Sequence, residues 1–212
     1  MSQPFTLVCF AVKEEAKCFN ELVRSRPGIR CLLTGMGPIN AERALHATLA
    51  NGKPELVLSA GFAGGLDPQL TSGTVVFSAD ELPALRTVLL AAGAQPARFY
   101  CAEKVATTAA EKQRLRESTG AEAVEMESQI IAAICRQQHL PCATVRVVLD
   151  TAAEDLPLDF NRLMTPGYEL DNRKLALAIL KAPGKISALL RLQKQTRAAA
   201  ERLAAALIKV CP

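Results

Sequence analysis

Apolar positions along the 212-residue chain gather into short runs separated by stretches with helical spacing. Phe5 to Val12 is almost wholly apolar and predicts a buried strand, followed by a helix from about Glu14 to Arg24. Ile29 to Thr34 predicts a second strand, broken by Gly35-Met36-Gly37-Pro38. Pro38 suits the first turn of the next helix, to about Leu49, because the N–H it lacks has no helical partner there. Leu56 to Ala60 reads as a third strand ending in a glycine turn, Gly61-Phe62-Ala63-Gly64-Gly65, and Val75 to Phe77 as a fourth. Helices are expected at 82–92 and 108–118. Ala123-Val124 leads into a helix from Glu127 to Gln138 with Ile130, Ile131, Ile134 and Cys135 along one side. Cys142 to Leu149 is strongly β-prone and ends at Asp150. A Pro-punctuated loop and helices at about 169–180 and 185–210 complete the chain.

Alternating strands and helices predict a three-layer α/β/α architecture around a mostly parallel, mixed sheet covered on both faces. No repeat, low-complexity segment or linker divides the chain, so residues 1–212 read as a single domain. With no Trp and two Tyr, the core must come mainly from Ala, Leu, Val and Ile. The formal charge of +4 is spread along the chain without aromatic interleaving, which argues against a nucleic-acid groove. Seven cysteines without a CxxC pair read as buried thiols in a reduced, cytoplasmic compartment, and neither His46 nor His139 has metal-ligand spacing. The N-terminal run lacks a secretory pattern and no apolar stretch is long enough to span a membrane. The helix at 186–210 mixes Leu189, Leu190, Leu203, Leu207 and Val210 with Lys and Arg. A packing helix with a solvated basic face outweighs membrane-surface contact as its explanation.

In parallel sheets ligands bind outside the carboxyl ends of the strands, and the candidate chemistry falls there. Glycine lets backbone approach a ligand closely, but Gly35-x-Gly37-x-x-Asn40 lacks the third glycine of a dinucleotide fingerprint. Gly61-x-x-Gly64-Gly65 has the wrong spacing. Glu14 and Glu15 after the first strand, Glu125 and Glu127 at a strand-to-helix junction, and Asp150 at a strand end are more informative. Each alone suits a helix-end or turn acid. Together they place carboxylates at three strand ends of one sheet.

The ordered segments AVKEEA, GMGPINAERAL, SAGFAGGLDPQLTSGTVV, VEMES and VRVVLD resemble the methylthioadenosine and S-adenosylhomocysteine nucleosidases, and the wider purine nucleoside phosphorylase superfamily, over most of residues 5–150. The stretches VATTAAEK (105–112) and DLPLDFN (155–161) resemble the shorter hopanoid-associated phosphorylase branch. The resemblance implies a nucleoside phosphorylase-like fold and cleavage of the N-glycosidic bond of an adenine-type purine nucleoside. On it, Asp150 is the general acid toward the departing base, and Glu127, with Glu125, Met126, Phe62 and Gly61, contacts the substrate. Glu15 orients or deprotonates an attacking water. Gly35, Gly37, Ala63 and Gly64 are the backbone candidates for holding phosphate or another nucleophile. No metal or cofactor is implied; the partner is a small-molecule nucleoside with phosphate as co-substrate, and the assembly a homo-oligomer.

Three departures bear on this. Phe62 stands where many relatives carry a small hydroxyl, the phosphate-binding arginine motif of the hexameric phosphorylases is absent after the first strand, and the region between Val76 and Glu103 is short. Glu15 favours water as nucleophile, while the branch resemblance and the glycine-turn amides favour phosphate. The balance is drawn slightly toward phosphorolysis, with a hydrolytic nucleosidase or a non-catalytic nucleoside-binding protein as the alternatives.

Overall fold

The computed structural model describes residues 3–165, 167, 171–181 and 183–211. Its elements are β1 (Thr6–Phe10), α1 (Lys13–Val23), β2 (Ile29–Leu33), α2 (Pro38–Leu49), β3 (Leu56–Gly65), β4 (Val75–Ser78), α3 (Pro83–Ala91), β5 (Gln95–Pro96), β6 (Phe99–Cys101), α4 (Ala109–Thr119), β7 (Ala123–Glu125), α5 (Ser128–Gln137), β8 (Cys142–Asp150), α6 (Phe160–Leu163), α7 (Asn172–Lys181) and α8 (Ile186–Val210). One mixed sheet runs in the order β2-β1-β3-β8-β4-β5, with β7 added beside the end of β3 and β6 beside β7. Most pairings are parallel; β4 lies antiparallel to β8 and β7 antiparallel to β3.

Alternation along β1 shows how the layers are assigned. Val8 and Phe10 point into one core with Leu58, Val145 and Val147, while Leu7 and Cys9 point into a second core on the other face. The first core is closed by α1, α3 and α8, the second by α2 and α5. On α8, Ala199, Leu203, Leu207 and Val210 recur at helical spacing and pack against Ala16, Phe19 and Val23 of α1. The Phe10 and Phe19 rings meet at 5.9 Å in a tilted arrangement. No helix among the described residues is long and apolar enough to cross a membrane.

Three expectations are corrected. The segment 61–65 is not a turn: β3 continues through it, because β8 and β7 supply ladder partners that local sequence does not reveal. Strands β5 and β6 were not foreseen, being two and three residues long. The loop after Asp150 contains α6, started by Asp159, whose carboxylate accepts from Arg162 N. The helix expected from 169 begins in the structure at Asn172; residues 169 and 170 lie outside those described.

The pairing of β3 with β8 carries a register shift, Ala63 facing Val148 but Gly64 facing Asp150. The extra residue, Leu149, bulges the strand, and Leu149 and Asp150 both reach the same cavity, which strict alternation forbids.

Leu203 is fully buried on α8 and takes no part in that cavity. Leu203→Ala is expected to cost about 2–5 kcal/mol. Urea unfolding should show a lower midpoint at unchanged slope, with per-molecule activity retained at low temperature.

Candidate active site

A cavity of about 560 Å3 opens at the carboxyl ends of β1, β3 and β8. Its wall includes Glu15, Phe62, Ala63, Gly64, Glu125, Met126, Glu127 and Asp150, eight residues expected from the sequence. Gly35, Gly37 and Gly61 stand behind the wall rather than in it.

Beneath the cavity lies a buried charge cluster. Arg146, 2% exposed on β8, places one guanidinium nitrogen 2.5 Å from Glu125 Oε2, 3.1 Å from Ser59 Oγ and 3.6 Å from Glu127 Oε2. Burial alone would weaken its hold on the proton, but the carboxylates of Glu125, Glu127 and Glu15 outweigh that and raise its pKa. The charge therefore stays on Arg146.

The three carboxylates have different surroundings. Glu125 Oε2 accepts from the backbone N–H of Glu127 (3.0 Å) and Ser128 (2.8 Å), and Oε1 from the Ser128 hydroxyl (2.7 Å). Glu125 thus closes the N-terminus of α5. Burial would raise its pKa, but Arg146 and these hydrogen bonds hold it below the ordinary range. Held ionised by the closest Arg146 ion pair and by three donors at the start of α5, it is placed as a support for the wall.

Glu127 has fewer partners. Its Oε1 accepts from Gly37 N at 2.8 Å, an amide presented by a turn in which Gly35 and Gly37 have φ of 81° and 82°. Burial pushes Glu127 up to about 7; Arg146 opposes, while Glu125 and Glu15 add to the rise. Glu15 reaches back over the first turn of α1, its Oε2 accepting from Ala11 N (2.9 Å) and Val12 N (3.1 Å), while Oε1 accepts from Phe62 N (2.8 Å). Burial raises its pKa too, against Arg146 and the three amides. Gly61 separates this carboxylate from Arg146: a Cβ there would sit 2.6 Å from Glu15 Oε1 and 2.9 Å from an Arg146 guanidinium nitrogen.

Asp150 stands apart, at the bulge of β8. Its Oδ2 is ion-paired with Lys112 of α4, a lysine with no exposed surface. Burial raises the Asp150 pKa, with Lys112 pulling the other way. Exposed Lys13 and Lys104 lie on the wall, and the mouth is apolar, framed by Val105, Leu156, Phe160, Met164 and Leu192. Sequence reasoning missed Arg146 and Lys112 as members of the site. A lone arginine inside the run Val145–Leu149 was the available signal for the first, since a charge in a buried strand demands partners.

A family model described as the phosphorylase superfamily matches residues 22–100 and 94–181. Solved structures of similar fold include the 5′-methylthioadenosine/S-adenosyl homocysteine nucleosidase of Campylobacter jejuni, at TM-score 0.70 and 15% identity over 98% of each chain. The nucleosidase of Neisseria meningitidis in complex with methylthio-immucillin-A aligns at TM-score 0.69 and 19% identity over 98% of each chain. Futalosine hydrolase of Helicobacter pylori aligns at TM-score 0.68 and 16% identity over 97% of each chain.

Two outcomes follow from the cluster. Because the folded-state pKa of Glu127 is raised, its stabilising contribution is complete below about 4.3, the unfolded value, and is lost as pH rises through about 7. Glu127→Gln should therefore gain on the order of 1–3 kcal/mol over wild type at pH 8 and little at pH 5. Thermal unfolding at the two pH values checks this, and an equal difference at both would show that Glu127 does not titrate there. Gly61→Ala should destabilise by about 1–3 kcal/mol, since neither buried partner can retreat. A melting temperature equal to wild type would show that the carboxylate and guanidinium have room to move.

Proposed function

The chain belongs to the phosphorylase superfamily, and on that premise we propose that it cleaves the N-glycosidic bond of a purine nucleoside, with water rather than phosphate as the nucleophile. The observation that carries this reading is the buried cluster of Glu15, Glu125 and Glu127 around the Arg146 guanidinium. Glu125 balances the guanidinium, and each further carboxyl that ionises, Glu127 near pH 7, gives the floor of the cavity negative charge. A phosphate charge about 4 Å from a carboxylate costs about 4 kcal/mol at the effective dielectric of a protein surface, and a neutral water costs nothing of the kind.

The amides of the glycine segments point the same way. Gly37 N is committed to Glu127 and Phe62 N to Glu15. That shifts the balance away from phosphorolysis, which had rested on those glycine segments being free to cradle phosphate. Phosphorolysis remains the second reading because Lys13 and Lys104 lie on the wall.

In the proposed reaction Asp150 donates a proton to the base as the C1′–N9 bond breaks and the bonding pair moves onto the ring. Glu127 receives the ribose hydroxyls, and the anionic floor favours the cationic sugar of the transition state. Glu15, its pKa raised by burial and its carboxyl held by three amides, takes a proton from the attacking water. Met126 and Phe62 supply the apolar surface along the sugar and base. The apolar mouth supports a 5′ substituent that is apolar as well, in keeping with the hopanoid-associated branch that the sequence resembles.

Base release should proceed from adenosine, methylthioadenosine and longer 5′-alkylthioadenosines at the same rate with and without phosphate, giving a free sugar. The longer 5′ groups should lower KM. Release that depends on phosphate and yields a ribose 1-phosphate derivative would overturn the choice of water. Asp150→Asn should lower kcat by about 10²-fold or more, and should lower the melting temperature as well because the buried Lys112 ammonium loses its counter-charge. Full turnover in that variant would remove Asp150 from the mechanism.

A further inference from the structure

Lys112 is among the largest fully buried side chains of the molecule, on a helix whose other residues are mostly exposed. Lysine is almost never fully buried without partners, and here the partners are specific. Its Nζ donates to Thr151 O at 2.8 Å and Glu154 O at 2.7 Å and is ion-paired with Asp150 Oδ2. An ammonium has three protons, and three acceptors surround it.

The ammonium is fixed from both ends. Helix α4 opens with a capping box, Thr108 Oγ1 accepting from Glu111 N (3.2 Å) and Glu111 Oε2 from Thr108 N (3.1 Å). Asp155 adds a further anchor by accepting from Ala109 N at 2.7 Å. The two carbonyls belong to the turn that immediately follows Asp150. Lys112 therefore ties the bulged end of β8, its catalytic candidate and the departing loop to one helix.

We propose that Lys112 is a positioning residue for base departure, holding the Asp150 carboxyl at the cavity wall and stabilising the carboxylate left when Asp150 gives up its proton. The proposal rests on the role given to Asp150 above. In that step the C1′–N9 pair goes to the base, the Asp150 proton goes to a ring nitrogen, and the new negative charge forms against the Lys112 ammonium. The water that bonds to C1′ loses its proton to Glu15, and solvent returns a proton to Asp150 between turnovers.

A buried carboxyl without such a partner is a poor acid, because burial opposes its ionised form. An adjacent cation brings its acidity back toward the operating pH, where general acid catalysis is most effective. The other charges near Asp150 do not supply this. Glu154, in the following turn, is a carboxyl rather than a cation and is occupied by Thr151 N (2.8 Å) and Oγ1 (3.0 Å). Beside Asp150, β3 and β7 present Gly64 and Val124, neither of them charged, and Lys104 is exposed on the cavity wall.

The test uses Lys112→Gln, whose amide can still donate to both carbonyls, alongside Lys112→Met and the charge-conserving Lys112→Arg. Without the cation, Asp150 should remain protonated to higher pH. The alkaline limb of kcat/KM should move up by about one pH unit or more in the Gln and Met variants, and kcat should fall about 10-fold or more, since an opposite charge this close moves a carboxyl by about 1–3 units. Lys112→Arg should keep the wild-type limb.

The Asp150 carboxyl band, isolated by infrared difference against Asp150→Asn, supplies a readout that needs no turnover. Its titration should move up in Lys112→Gln by the same amount as the limb. A folded Gln variant with the wild-type titration would overturn the proposal and leave Lys112 a structural tie. Wild-type protein that cleaves no purine nucleoside would overturn the proposed function instead, with the infrared titration still deciding the link between Lys112 and Asp150.

Discussion

Among the described residues Arg146 is the one cation set among Glu15, Glu125 and Glu127, and the site depends on that imbalance. A guanidinium at 2% exposure would be untenable alone, as would three carboxylates packed within its reach. Together they are tolerable because each carboxylate also accepts backbone N–H groups from a different part of the fold: the start of α1 and strand β3 for Glu15, the start of α5 for Glu125, the turn before α2 for Glu127. The electrostatics of the cluster and the closure of the sheet's carboxyl end are one arrangement. Removing a member would unsettle several elements at once, which is the sense in which such buried pairs are costly to break and weak as sources of net stability.

The same arrangement sorts carboxyls that look alike in one dimension. Glu125 is held ionised and consumed by the protein, Glu127 is poised near neutrality, and Glu15 is raised while gripping three amides. Asp150 belongs to a separate pair with Lys112, across the bulge in β8. Acidic groups in contrasting surroundings are what proton chemistry at neutral pH needs, since one group must give up a proton while another takes one. The apolar mouth contributed by α6 and by the first half of α8 then sits over a polar floor.

Much of this was readable along the chain. The alternation of apolar runs with helical spacing identified β1, β2, β8 and helices α1, α2 and α5 to within a few residues, because burial on both faces leaves a continuous apolar run and a one-sided helix leaves a 3.6-residue period. Pro38 marked the start of α2, and the order of the acidic segments carried the family resemblance that the family model bears out. The acids at 15, 125, 127 and 150 were recognisable as candidates because carboxylates at strand ends are few.

How the carboxylates differ in their surroundings could be seen only in three dimensions. Glu125 and Glu127 are two residues apart and equally acidic in composition; their difference comes from Arg146, 21 residues downstream of Glu125, and from Gly37, 90 residues upstream of Glu127. Gly61 reads locally as a turn former, yet it is there because Glu15 and Arg146 leave no room for a Cβ. Nothing local marks Lys112 as buried; three acceptors at and just after the end of β8 close over it. Sequence pattern records where a side chain lies relative to its own strand or helix, so it determined the layers and the end of the sheet where the candidate acids gather. Protonation state, close approach and the choice between water and phosphate depend on distances between groups far apart in the chain, and those exist only once the sheet has brought them together.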